Sequence, residues 1–192
     1  FQTKVKEFIV HFRKKLPEYD QLMTDNVIFR NRTEGIGILT KEDAISYGVT
    51  GPTGRASGWS NDIRKKNPYS AYDRVNFTEI IYTEGDSFAR YKARIQEMWE
   101  SMHIIEQLID NIPQGEYKEP TKAVIKLPQT EIYQSVETAR GELGVYINSD
   151  GKKNPYRVKF RSPGFSNLNA LNTMAKGGKI ADLVTIMSTI DL

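Results

Sequence analysis

The chain contains no cysteine. Disulfides, thiolate nucleophiles and Cys-ligated iron or zinc centres are therefore excluded from these 192 residues, and metal chemistry has to be supplied from elsewhere. Histidine is nearly as scarce, limited to His11 and His103. Each falls alone on an expected helix, without a carboxylate or second imidazole at ligand spacing. Each therefore reads as a solvated or packed side chain and not as a metal ligand or general base. Long apolar runs are missing too. Nothing approaches the ~20 residues needed to cross a bilayer, and no segment has the basic, apolar, small-residue order of a signal peptide. A water-soluble chain is expected. Nor is one sign of charge in surplus: 27 Lys and Arg stand against 24 Asp and Glu, a formal charge of +3. That is far short of the concentrated field that carries nucleic-acid binding, so no nucleic-acid partner is expected.

What is present suffices for a core, since 39% of residues are hydrophobic. Residues 1–120 read as helical. Val5, Phe8, Ile9, Phe12, Leu16, Tyr19 and Met23 form one amphipathic stripe, with a break or kink expected at Pro17. An irregular link is expected over 30–37, then a short helix over 41–47 with Thr40 as its N-cap. Residues 48–68 hold Gly48, Gly51, Pro52, Gly54, Gly58 and Pro68, a density that predicts a long ordered loop without regular structure. The strongest periodic signal is Phe88, Tyr91, Ile95, Met98, Met102, Ile105 and Ile109, a long bundle helix with a capping box at Thr83 and Asp86 and a stop at Pro113. From 121 to 163 the period changes to alternation. Strands are expected over 123–127, 132–136, 143–147 and 156–161, with a turn at Ser149-Asp150-Gly151, giving a small antiparallel sheet. Residues 164–192 return to helix, with a separator at Gly177-Gly178. The fold class is α+β, mostly helical. The chain starts at Phe1 without a methionine and stops at Asp191-Leu192 straight after an apolar helix, which reads as one domain fragment of a longer polypeptide.

Self-contained chemistry finds no support. Gly54-Arg55-Ala56-Ser57 lacks the lysine and the upstream glycine of a phosphate-binding loop, and Ser57 has neither a nucleophile elbow nor an assignable base. Arg64-Lys65-Lys66 and the basic residues of 152–161 read as solvated edges. The run Val136-Glu137-Thr138-Ala139-Arg140-Gly141-Glu142-Leu143-Gly144 stands apart, placing a carboxylate, an arginine and two glycines between two strands. Two readings stay open: a buried ion pair of Glu137 with Arg140 bracing a tight turn, or the wall of a cavity.

Five motifs in order carry a family resemblance over nearly the whole chain. They are Gly48-Val49-Thr50-Gly51-Pro52-Thr53-Gly54-Arg55-Ala56-Ser57-Gly58 with Asp62-Ile63-Arg64; Pro68-Tyr69-Ser70-Ala71-Tyr72; Glu137 to Gly144; Pro155-Tyr156-Arg157-Val158-Lys159 followed by Arg161-Ser162-Pro163-Gly164-Phe165-Ser166-Asn167-Leu168; and the closing stretch from Ala181 to Asp191. Together they resemble the carboxy-terminal part of the D subunit of respiratory complex I, the NADH:quinone oxidoreductase, and its relatives, the large subunits of membrane-bound nickel-iron hydrogenases.

The resemblance implies a hydrogenase large-subunit-like helical bundle with a small antiparallel sheet, in which the former metal pocket serves as a quinone-reduction chamber. Quinone would be the substrate. NADH would be oxidised on another subunit, and electrons would arrive from an iron-sulfur cluster in a neighbouring subunit. No cofactor or metal would be held by this fragment alone, which would be inactive by itself. The partners implied are the other subunits of the complex, above all the terminal cluster subunit and the membrane arm that pumps ions. The place implied is peripheral, on the cytoplasmic side of the bacterial inner membrane. Residue by residue, Asp191, Arg140 and Glu137 match the chamber, while Arg55, Asp62 and Arg64 match a loop expected near a subunit interface. A hydrogenase large subunit is the alternative, favoured by the short connection between Pro120 and Glu137 and opposed by Leu192, where the hydrogenases carry proline. A non-catalytic scaffold of the same fold is the third reading, and a cavity beside Arg140 and Asp191 would count against it.

Overall fold

The computed structural model describes residues 1–121 and 124–190. Within them, α1 (Gln2–Tyr19) runs into a π-helical turn (Asp20–Thr24), followed by α2 (Val27–Thr33), α3 (Lys41–Ser46), α4 (Gly51–Arg55) and α5 (Ile63–Lys66). A 3-10 turn (Tyr72–Arg74) precedes the long α6 (Ser87–Ile109). Strands β1 (Thr130–Thr138), β2 (Gly141–Ser149) and β3 (Arg157–Arg161) come next, then α7 (Pro163–Leu168), α8 (Leu171–Ala175) and α9 (Ile180–Thr189). The sheet is antiparallel with strands in chain order. The α+β, mostly helical class read from the sequence is the one the chain adopts.

Helix α6 is the spine, and its start is fixed by one carboxylate. Asp86 accepts the Ala89 amide at 2.7 Å and the Gly35 amide at 2.8 Å, capping the helix and tying it to the segment before α3. Thr83 has no part in that cap, contrary to the capping box expected from spacing. One face of α6 presents Met98, Trp99 and Met102 to Val5, Ile9, Phe12 and Leu16 of α1, which is the predicted stripe. Ile105 of that stripe is exposed and Ile104 is buried instead. A second buried face, Ala89, Arg90 and Ala93, receives α4 and α9. Its small and charged residues carry no apolar signal, so periodicity misses it.

Pro17 does not end α1; the helix widens to the π-helical turn three residues later, at Asp20. The irregular link expected over 30–37 is half helix, because the Asn26 side chain accepts the Ile28 and Phe29 amides and starts α2. Thr40 caps α3 as predicted, accepting the Asp43 amide at 3.1 Å. The stretch 48–68 is not free of regular structure. Gly51, at φ +68°, turns the chain into α4, Pro52 occupies its first turn, and Asp62 caps α5 through the Arg64 amide. No strand forms over 124–127, and Ala123 lies outside the described residues, so the sheet has three strands among the described residues, not four. The turn at Ser149-Asp150-Gly151 is present, with Gly151 at φ +81° and its amide on the Ser149 hydroxyl.

The main core gathers Leu39, Ala44, Val49, Ala170, Met174, Ile186 and Ile190 beneath α3, α8 and α9. Among the described residues, no helix is long and apolar enough to cross a membrane.

Candidate functional site

The site is built on α4. Its residues Gly51 to Arg55 are all buried, and α4 packs between α6 and the β1–β2 hairpin. A five-residue helix with two glycines and a proline has little helical propensity of its own, so its position is set by what it touches.

At its C-terminal end, Arg55 is 1% exposed and holds two carboxylates. Nε and Nη2 donate to Glu97 Oε1 of α6 at 3.0 and 2.6 Å, and Nη1 donates to Glu137 Oε1 of β1 at 2.8 Å. Asp62, also buried, lies 4.0 Å away and is held bidentately by Arg64, Nε to Oδ1 at 2.9 Å and Nη2 to Oδ2 at 2.6 Å. The cluster thus has two guanidiniums against three carboxylates, one negative charge in excess. Burial works against the charge on Arg55, but Glu97 and Glu137 outweigh it and its pKa is raised. Burial likewise works against the Asp62 carboxylate, and the Arg64 fork overcomes it, so that pKa is lowered. Burial wins at Glu137, only partly countered by Arg55, and its pKa is raised. Arg64 also lies over the Phe77 ring, 4.9 Å from its centre.

At the N-terminal end of α4 sits the hairpin tip. β1 and β2 pair as far as Thr138 opposite Gly141, leaving Ala139 and Arg140 as a two-residue loop. Gly141 takes the positive φ, +127°, that the reversal needs. Thr138 Oγ1 spans the loop, donating to the Gly141 carbonyl at 2.8 Å. The other end of the run is fixed by Tyr69, whose hydroxyl accepts the Glu137 amide at 2.9 Å and donates to the Glu137 carbonyl at 3.3 Å.

Between hairpin tip and α6 lies a partly open cavity of about 590 Å³. Arg64, Tyr72, Arg94, Glu97, Met98 and Arg140 are among its lining residues, with Glu137 in its wall. Guanidiniums, carboxylates, a phenol and a thioether thus face one space.

The structure brings Glu137, Arg140, Arg55, Asp62 and Arg64 together, where the sequence suggests two separate places. The Glu137–Arg140 ion pair is not formed: the partner of Glu137 is Arg55, and Arg140 is exposed at the cavity mouth. Glu137, Thr138, Ala139 and Arg140 line the cavity instead. The side chains of Arg55 and Asp62 are buried within this chain. Asp191 lies outside the described residues. Sequence reasoning misses Glu97, Tyr69 and Arg94 as members of the site. Glu97 reads as a polar flank of the α6 stripe, and only its distance to Arg55, 42 positions away, gives it a role.

The family profile described as respiratory-chain NADH dehydrogenase, 49 Kd subunit, matches residues 1–126 and 119–192. The C/D subunit of the NADH-quinone oxidoreductase of Phocaeicola vulgatus is 54% identical over 191 residues, covering 100% of this chain and 37% of that protein. The D subunit of the NADH-quinone oxidoreductase of Bacillus anthracis is 44% identical over 190 residues, 98% of this chain and 52% of that one. This chain therefore spans between about a third and a half of the length of these relatives. Among solved structures, a chain of the membrane-bound sulfane sulfur reductase, an archaeal respiratory membrane complex, matches with a TM-score of 0.93 and 34% identity, covering 100% of this chain and 53% of its own.

Proposed function

The chain belongs to the family of the 49 kDa subunit of respiratory-chain NADH dehydrogenase, and from that premise we propose that it forms one wall of a quinone-reduction chamber in an NADH:quinone oxidoreductase. The carrying observation is the cavity at the hairpin tip, where Arg140 faces a space of about 590 Å³ beside buried carboxylates. Ligand pockets run from about 300 to 1,000 Å³. A quinone headgroup offers two carbonyl oxygens and a flat apolar ring. Arg140 supplies donors for a carbonyl, and Met98 and Ala139 supply apolar contact for the ring. Reduction to the hydroquinone takes up two electrons and two protons. Glu137 is the carboxyl in this wall whose pKa burial raises, with Arg55 countering it only in part.

An iron-sulfur cluster does not fit this chain, which has no thiolate to hold one. Electrons then come from a neighbouring subunit, and NADH is oxidised on another. In this reading the chain is a peripheral subunit on the cytoplasmic side of a bacterial inner membrane, joined to the cluster-bearing subunit and to the ion-pumping membrane arm. The two named relatives, both subunits of NADH-quinone oxidoreductases, favour quinone over the hydrogenase alternative. The sulfane sulfur reductase shows that one fold serves another reduction, so the fold alone does not carry the reading. The open cavity beside Arg140 speaks against a non-catalytic scaffold.

The test is Arg140→Ala in the full-length chain within the assembled enzyme. A charge-assisted hydrogen bond contributes about 1.5–3 kcal/mol, so quinone reduction falls about ten- to a hundredfold, while NADH oxidation by an artificial electron acceptor is spared. Equal loss of both activities reports failed assembly, and unchanged quinone reduction removes Arg140 from the chamber.

A further inference from the structure

Arg140 is carried by a two-residue loop at the end of a hairpin whose third strand is exposed over residues 157–160. Such a tip has little packing of its own, and a side chain aimed at a substrate from it needs its backbone fixed by something else. Within the tip, Thr138 Oγ1 also accepts the Arg140 amide at 3.3 Å; the tie from the tip to α7 and the start of α4 runs through one side-chain amide. Asn167 of α7 is 0% exposed, and both ends of its side chain are engaged. Oδ1 accepts the Thr50 amide at 3.0 Å, just before α4, and Nδ2 donates to the Arg140 carbonyl at 3.4 Å. Thr50 completes the bracket, because its hydroxyl accepts the Glu142 amide at 3.2 Å on the far side of the loop. The backbones touch where they cross. A β-carbon on Gly51 would clash with the Gly141 Cα and lie 2.8 Å from the Arg140 carbonyl oxygen, and one on Gly141 would lie 2.5 Å from Thr50 Oγ1.

We infer that Asn167 is a positioning residue for Arg140: its amide joins the hairpin tip to the start of α4, so that the segment whose other end holds Glu137 through Arg55 also sets where the Arg140 guanidinium enters the cavity. A structural core asparagine would serve as well if it bonded any two loops. What singles this one out is that its donor reaches the backbone carbonyl of the ligand-facing arginine itself. Its acceptor, in turn, holds the residue that brackets the same loop. The inference rests on the reading of the cavity as a quinone chamber.

The experiment is a double-mutant cycle in the full-length chain within the assembled enzyme. Quinone kinetics are measured for Asn167→Ala, Arg140→Ala and the double variant, each normalised to NADH oxidation by an artificial acceptor. Asn167→Ala is expected to raise the quinone KM about five- to tenfold with a smaller change in kcat, and to have no further effect once Arg140 is already alanine. Asn167→Asp keeps the shape and the acceptor for Thr50 but turns a carboxylate oxygen toward the Arg140 carbonyl. It is expected to behave like Asn167→Ala, and it carries the same cycle if the alanine variant does not assemble. Two results overturn the inference while leaving the chamber intact: equal losses from the Asn167 variant in both Arg140 backgrounds, or full activity in Asn167→Asp. An Arg140→Ala variant with normal quinone kinetics overturns the chamber and the inference together.

Discussion

Replacing Arg55 with methionine removes the only guanidinium that touches both Glu97 and Glu137 among the described residues, and its cost follows from which carboxylates can find relief. Asp62 keeps its two bonds from Arg64. Glu97, with 17% of its side chain exposed, can recover water. Glu137 has neither remedy: its side chain is 3% exposed, and its other oxygen has only the Ile63 amide at 3.5 Å. Deleting one partner of a buried ion pair costs about 3–5 kcal/mol, because the other charge stays behind unpaired. Set against a typical total stability of about 5–15 kcal/mol, that is a large share. The loss also carries a pH signature with a definite sign. Glu137 already has a folded pKa above its ordinary 4.5, and without Arg55 the rise is larger. For a group raised in the folded state, the stabilising contribution is complete below the unfolded pKa and disappears as pH rises through the folded one. Arg55→Met should therefore be most damaging near pH 8 and recover toward about pH 5. Urea unfolding of the 192-residue chain at both pH values reads this directly, provided the m-value is unchanged. If the methionine variant does not fold, Arg55→Lys keeps the charge, loses the fork and should show an intermediate loss with the same pH trend. A loss below about 1 kcal/mol, the scale of an exposed pair, or one independent of pH would refute the assignment of Arg55 as the counter-charge of Glu137.

Two further outcomes test the frame around the site. Asp86→Ala removes the α6 cap and the tie to Gly35 together, so it should exceed the ~1 kcal/mol typical of a lost N-cap and reach about 2 kcal/mol when the Gly35 bond is added; urea midpoints check it. Gly51→Ala puts a side chain at φ +68° and against the Gly141 backbone, adding about 1–2 kcal/mol of left-handed strain to about 1–3 kcal/mol of overpacking. A melting temperature equal to the parent's would contradict the close crossing of α4 and the hairpin.

The sequence speaks clearly where one face of an element is apolar and the other polar. The α1 stripe through Ile9 and Leu16 and the α6 stripe through Met98 and Met102 meet as periodicity predicts. Alternation likewise marks where the three strands lie, although β3 is exposed on both faces over 157–160. It fails where an element is held by tertiary contact instead of propensity. Helix α4 reads as loop because Gly51, Pro52 and Gly54 are weak helix formers, and it exists because it is walled in by α6 and β2. The site is half legible for a related reason. Arg140 and Glu137 stand out as a local cluster, which invites pairing them with each other. The partner of Glu137 lies 82 positions upstream, a distance no spacing rule spans. Asn167 falls within the Arg161 to Leu168 motif, but nothing local marks its role, because its partners Thr50 and Arg140 lie 117 and 27 positions away.

The choice of Arg55 as partner for Glu137 bears on what Arg140 is free to do. An arginine at a hairpin tip three residues from a buried glutamate would ordinarily fold back on it, and a guanidinium satisfied by a carboxylate is a poor donor to a neutral carbonyl. Here Arg55 holds Glu137, while Arg64 takes Asp62 with both of its bonds. Among the described residues Arg140 forms no ion pair within 4.0 Å. In the proposed chamber, that leaves the tip arginine able to donate to a ligand.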